Sequence, residues 1–186
     1  MSILNAIRQR RSHKLFTKRP VFDDEIRTML EGAVAAPNHK LTQPWGFVVL
    51  GPRSRRKYAD IKAAVKVKNE ANDEFALAKR EKIAAEIAAI PAVIVVTQRQ
   101  DPDPHRREED YAAVYMAIQN MLLLATSMGL GTKLQTGSVM DDAQMRELVG
   151  AAPEERIVGI IHVGEPMEEL PPKARASAAD KTRWLP

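Results

Sequence analysis

A chain of 186 residues with 45% hydrophobic content fits one domain with a sizeable core, and no apolar run in it approaches the roughly 20 residues of a membrane-spanning helix. Its 28 Lys and Arg stand against 24 Asp and Glu with both signs interspersed, which argues against a nucleic-acid binder, whose basic excess is usually one-sided. The absence of cysteine removes any disulfide framework, thiolate nucleophile or cysteine-based metal site, and agrees with a reducing, cytoplasmic setting.

The opening stretch to Phe22 contains no acid. Ile3, Leu4 and Ile7 nevertheless have the spacing of a short helix packed on one side, so the segment reads as folded protein and not as a transit peptide. Asp23 and Asp24 suit a helix N-terminus, and the apolar stripe Ile26, Met29, Leu30, Ala33 and Val34 follows until Pro37 ends it. Phe47 to Leu50, closed by Gly51-Pro52, reads as a buried strand, as does Ala92 to Thr97 after Pro91. Between them Ser54 to Ile90, rich in Ala, Lys and Glu with dense charge from Lys66 to Lys82, predicts helix in two or more pieces.

Two Asp-Pro pairs make Gln98 to Arg107 an exposed loop. Glu108 to Met128 is increasingly apolar, free of Gly and Pro, and stops at Gly129-Leu130-Gly131, which describes a central buried helix with a glycine C-cap. Asp141-Asp142 opens a shorter helix to about Val149, and Arg156 to Val163 supplies another strand before Gly164-Glu165-Pro166. Residues 166–186, with Pro171-Pro172 and few apolar side chains, form a tail that is either disordered or fixed by a ligand or a second subunit. Strands and helices do not alternate regularly, and neither repeat nor linker divides residues 1–186, so a single domain is expected.

Basic side chains stand near both ends of the chain, with a polar, proline-punctuated loop between. Arg10-Arg11-Ser12-His13-Lys14, Pro37-Asn38-His39-Lys40 running to Gln43-Pro44-Trp45, Thr136-Gly137 and Lys173-Ala174-Arg175 together suit one anionic ligand, such as a phosphorylated cofactor, held by distant segments. Taken alone, the first stretch also reads as a solvated basic helix end, and His39 as a surface imidazole. Trp45 reads as a core residue at strand entry. Gly129-Leu130-Gly131 follows a helix and lacks a third glycine, which rejects a nicotinamide Rossmann fingerprint. His13, His39, His105 and His162 show no ligand spacing, so no metal site is expected.

Arg10 to Phe16, Ala36-Pro37, Gln43-Pro44-Trp45 and Phe47, then Gly129-Leu130-Gly131, Thr136-Gly137, Val163-Gly164-Glu165-Pro166 and Pro172-Lys173-Ala174-Arg175, resemble the flavin-dependent nitroreductase family in order and over essentially the whole chain. The short length and the Asn-His-Lys loop look closest to its compact bacterial branch. The resemblance implies an α+β fold: a three-layer α-β-α sandwich with a mostly antiparallel sheet, in an intertwined homodimer with FMN at the subunit interface. The helix Glu108 to Met128 would form the dimer core, and residues 166–186 would reach around the partner.

Position by position, Arg10, Ser12 and Lys14 match flavin contacts near the ring's polar edge and ribityl chain, Arg11 a contact made through its backbone, and Lys173 and Arg175 the basic pair on the phosphate. Pro37, Asn38 and His39 match residues lining the flavin of the other subunit. Leu134 and Gln135 match cofactor-binding positions, and Thr136 and Gly137 fall where the family directs backbone N–H groups toward N5. The implied activity is reduction of nitroaromatics, quinones or related electron-poor small molecules by NADH or NADPH through FMN, with no catalytic side chain. A flavin carrier or sensor with little turnover is the alternative on the same scaffold.

Overall fold

The computed structural model describes residues 1–68 and 74–186, so part of the charged run from Lys66 to Lys82 lies outside the described residues. Helix α1 (Ile3–Gln9) begins at Ser2, whose hydroxyl accepts the Asn5 N–H at 3.3 Å. Helix α2 (Asp23–Val34) carries Asp23, Asp24 and Glu25 in its first turn, where they complement the helix dipole. Glu25 also reaches back to the Phe22 N–H at 2.9 Å and pairs with Arg19 at 2.8 Å.

Strand β1 (Trp45–Val49) leads into helices α3 (Pro52–Val67) and α4 (Glu74–Ala88), then strand β2 (Ala92–Arg99) and the long helix α5 (Pro104–Ser127). Strand β3 (Gly131–Gln135), helix α6 (Ala143–Val149) and strand β4 (Glu155–Gly164) complete the order. The strands form one sheet in the order β1-β2-β4-β3, with every pairing antiparallel.

Alternation along the central strands gives the sheet two apolar faces. Ile94 and Val96 of β2 join Val158, Ile161 and Val163 of β4 in a core with α2 and α5. Val93 and Val95 point the other way, with Ile157 and Ile160, into a core under α3, α4 and α6. A bulge between Val96 and Thr97 leaves Val158 as an extra residue on β4 and keeps both faces apolar. The result is the three-layer α-β-α sandwich.

Helix α5 buries Ala113, Val114, Ala117, Ile118, Met121, Leu122 and Ala125, a broad face at helical spacing. It crosses α2 closely at Gly32, where a Cβ would overlap Leu124 Cδ1 and where Asn120 Nδ2 donates to the Gly32 carbonyl at 2.9 Å. Each large side chain fully buried here contributes about 1.5–3 kcal/mol of transfer free energy.

Two expectations need correction, and one strand was missed. Gln98 to Arg107 is not an exposed loop: β2 continues to Arg99, α5 starts at Pro104, and Gln98 is fully buried. The burial is possible because its amide donates to the Arg107 carbonyl at 2.9 Å and accepts from Arg156 Nε at 2.7 Å. Asp103, the first helix-capping group of α5, accepts from the His105 N–H at 3.0 Å. Strand β3 was not anticipated, because Gly-Thr-Lys-Leu-Gln shows no continuous apolar signal and pairs with the sheet on one side only. Ile3, Leu4 and Ile7 do form a helix, but the side expected to pack is exposed in the single chain.

Candidate functional site

The chain from Arg10 to Phe16 leaves α1 and runs along the outer edge of β3. Ser12 bridges Thr132 in parallel, His13 N–H donates to the Thr132 carbonyl at 2.9 Å, and Phe16 bridges Pro166. Phe16 can lie flat there because Gly164 has no side chain: a Cβ would sit 2.9 Å from the phenylalanine Cβ and ring. Arg11 fixes the other boundary. Its Nε donates to the Pro171 carbonyl at 3.0 Å, and its Nη1 to the carbonyls of Arg8 and Arg10 at 2.6 and 2.9 Å. The two ends of the chain are thereby tied together.

Between this edge, the end of α4 and the tail lies a cavity of about 890 Å³. Arg11, Ser12, Lys14 and Lys173 line it, joined by Lys133 and His162 from facing positions on β3 and β4. Leu15, Phe16, Ile87, Ile90 and Leu170 give it apolar walls, and Glu86 and Glu168 are its two carboxylates. A volume of this order suits a ligand with an aromatic body and a few charged groups.

His162 forms part of the floor. Its Nε2 lies 2.9 Å from the Tyr58 hydroxyl of α3 in a buried hydrogen bond. Burial, reinforced by the Lys133 and Lys62 ammonium groups, pushes the imidazole down to about 3, so it is neutral at physiological pH. Burial raises the Tyr58 phenol above its ordinary range, so it stays protonated.

Lys62 and Lys66 follow Tyr58 at four-residue steps along α3, which places all three on one helix face. Burial, with the like charges of Lys66 and Lys133, lowers the Lys62 ammonium to about 8, and burial with Lys14 and Lys66 lowers Lys133.

The remaining expected residues lie elsewhere. Arg10 caps the C-terminus of α1, and Arg175 is exposed in the tail, its guanidinium donating to the Ala174 carbonyl at 3.3 Å. Leu134 packs toward the α5 core beside Gly159, Gln135 Nε2 donates to the Thr136 carbonyl, and Gly137 has φ 108° and ψ −170°, a conformation essentially reserved for glycine. None of these lines the cavity.

Pro37, Asn38 and His39 also stand apart from it. Their loop holds Lys40, Leu41 and Gln43 at φ 56°, 51° and 45°, three strained non-glycine positions in four residues. Asn38 organises the loop from within. Its Oδ1 accepts the Gln43 N–H at 2.6 Å, and its Nδ2 donates to Thr42 Oγ1 at 3.0 Å and to the buried Asp110 carboxylate of α5 at 3.4 Å. Thr42 Oγ1 donates to the same carboxylate. Asp110→Ala removes the acceptor on which both side chains converge, so a loss of about 1–3 kcal/mol of stability is expected in urea unfolding. Asp110→Asn, which keeps an acceptor, should lose less.

Lys133 and His162 line the cavity, with Tyr58 and Lys62 on the face of α3 behind His162, and none of the four was read from the sequence as a ligand-binding residue. The four-residue spacing of Tyr58, Lys62 and Lys66 was available as a signal, whereas the Lys133–His162 pairing depends on strand register.

The family model described as "Nitroreductase family" matches residues 7–165, which span the cavity edge, both cores and the whole sheet. The chain belongs to the nitroreductase family. Among solved structures, a nitroreductase-like family protein from Bacillus cereus superposes with a TM-score of 0.84 at 33% identity, covering 100% of this chain and 96% of that one. Two further relatives carry the nitroreductase name provisionally. One is the NAD(P)H nitroreductase YfhC of Bacillus subtilis strain 168, 29% identical over 94% of this chain and 90% of that protein. The other is from Desulfovibrio desulfuricans, solved in complex with FMN, with a TM-score of 0.74 at 25% identity over 100% of this chain and 98% of that one. The α+β sandwich expected from the resemblance is therefore the fold observed.

Proposed function

We propose that the cavity beside β3 binds FMN and that this nitroreductase-family chain is an NAD(P)H-dependent oxidoreductase of nitroaromatics, quinones or related electron-poor acceptors. The carrying observation is the cavity itself: apolar walls for a ring system, with Ser12, Lys14 and Lys173 brought to it from opposite ends of the chain. The Desulfovibrio desulfuricans relative is described with FMN, and YfhC is named for NAD(P)H, which supports both cofactor assignments. When bound, FMN would accept a hydride from NADH or NADPH and pass two electrons to the acceptor.

The chain's own residues bind and orient. Lys173 and Arg175 fit the phosphate, Arg10, Ser12 and Lys14 the polar edge and ribityl chain, and the Thr136 and Gly137 N–H groups the ring. The neutral Tyr58–His162 pair makes a floor that neither gives nor takes a proton near pH 7. Protons for the acceptor come from water.

The working unit in this reading is a homodimer. Ile3, Leu4 and Ile7 on α1, Met116 on α5, and Trp184 and Leu185 in the tail are exposed apolar side chains that fit a second copy of the chain. The 37–43 loop, remote from its own chain's cavity and held rigid by Asp110, is suited to line the partner's.

The test is spectroscopic. Protein titrated with FMN should show the bound-flavin visible spectrum, bleach on anaerobic mixing with NADH or NADPH, and elute at twice the 20.7 kDa of one chain. Failure to take up FMN ends the flavin reading; flavin that stays oxidised identifies a carrier; a monomer that binds FMN ends the shared site.

A further inference from the structure

Residues 166–171 run as a strap between two cavities. On one side is the 890 Å³ cavity; on the other, between the end of α1 and the turn from α5 to β3, lies a second of about 350 Å³. Glu168 and Leu170 of the strap line both, so the strap is a thin partition with space on either side. Packing alone does not fix a segment so placed; its position depends on what holds its ends. One end is pinned where the Met167 N–H donates to the Leu15 carbonyl at 3.2 Å, beside the Phe16–Pro166 bridge. The other is held by the side chain of Arg11, whose Nε donates to the Pro171 carbonyl at 3.0 Å. Nη1 of the same guanidinium is fixed by the Arg8 and Arg10 carbonyls at the end of α1. A planar fork thus joins the helix end to the strap, which a single ammonium cannot do. Beyond Pro171, every hydrogen bond of the tail among the described residues is to the tail itself.

We propose that Arg11 is a positioning residue for the phosphate site: acting through Pro171 and not on the phosphate itself, its side chain sets where Lys173 and Arg175 present their charges. The inference rests on the flavin reading of the cavity. Its consequence is selective. Arg11 matters only for a ligand that carries a phosphate, and only while Lys173 and Arg175 are there to be positioned.

The test compares FMN with riboflavin, by quenching of flavin fluorescence, in the native protein, in Arg11→Met, in the Lys173→Ala, Arg175→Ala double variant and in the triple variant. Arg11→Met should weaken FMN binding roughly tenfold and leave riboflavin within about twofold. Added to the double variant, it should cost FMN about twofold or less, because the cations it positions are gone. A tenfold loss that persists in the triple variant overturns the proposal, and so does an equal loss for riboflavin. Arg11→Lys keeps the charge without the fork, so full FMN affinity in that variant would make charge the cause and overturns it as well. If the protein takes up no FMN, the flavin reading fails by itself, and the latch is read on the flavin-free chain. Tryptic cleavage after Lys173 and Arg175, followed by mass spectrometry, should then be at least about threefold faster in Arg11→Met, and an unchanged rate overturns the latch.

Discussion

Between about pH 7 and about pH 4 the folded chain should lose roughly 3 kcal/mol of stability through His162 alone. The imidazole titrates near 3 in the fold against 6.5 when exposed, because burial and the Lys133 and Lys62 charges oppose its protonation. Below 6.5 the unfolded chain takes a proton that the folded chain refuses, so the unfolded state gains. The contribution is fully present above 6.5 and drains away as the pH falls toward 3. Urea unfolding of the native protein and of His162→Gln at both pH values isolates the effect. The variant carries no titrating group at this position, so its stability should fall by roughly 3 kcal/mol less over the same interval. Equal losses in the two proteins would mean that His162 is protonated in the fold, and would remove the neutral floor from the cavity.

Replacing both Lys173 and Arg175 with Ala should weaken FMN binding by about 3 kcal/mol, roughly a hundredfold or more in Kd. Lys173 lies on the cavity wall two residues beyond Pro171, which Arg11 holds at 3.0 Å, so its backbone is anchored where its ammonium is needed. Arg175 is exposed, and its guanidinium contact with the Ala174 carbonyl is weak enough to yield to a phosphate. Quenching of flavin fluorescence measures the loss. Riboflavin, which has the ring without the phosphate, should bind the native and doubly substituted proteins alike. An equal loss for both ligands would assign the pair to the shape of the tail instead of to the phosphate.

Much of this architecture was legible in the sequence, for identifiable reasons. Helix α2 announces itself by acids ahead of an apolar stripe, and β2 by an unbroken β-branched run that only a strand covered on both faces would carry. Strand β3 was hidden because its Thr132, Lys133 and Gln135 look like loop residues until β4 lies beside them. Gln98 misled for a related reason, since a buried amide reads as surface unless its two partners, from α5 and β4, are known. In the candidate site, the donors near the chain ends were visible as charge. Lys133 and His162 were not, because which polar residues of β3 and β4 face the cavity is decided by strand register.

The place of β4 in the sheet governs how this molecule can emerge from a ribosome. It is the last strand in the chain and the second from one edge in space, flanked by β2 and β3. Until residue 164 has been synthesised and has cleared the exit tunnel, β1 and β2 form a hairpin-like pair with an open edge, and β3 has nothing to join. Helices α2, α3, α4 and α5 precede β4 and can already cover β2 on its two faces, but the sheet itself stays divided until β4 arrives. The nascent chain is best served by late, concerted closure in which β4 zips into the gap and the trailing segment then seals the cavity.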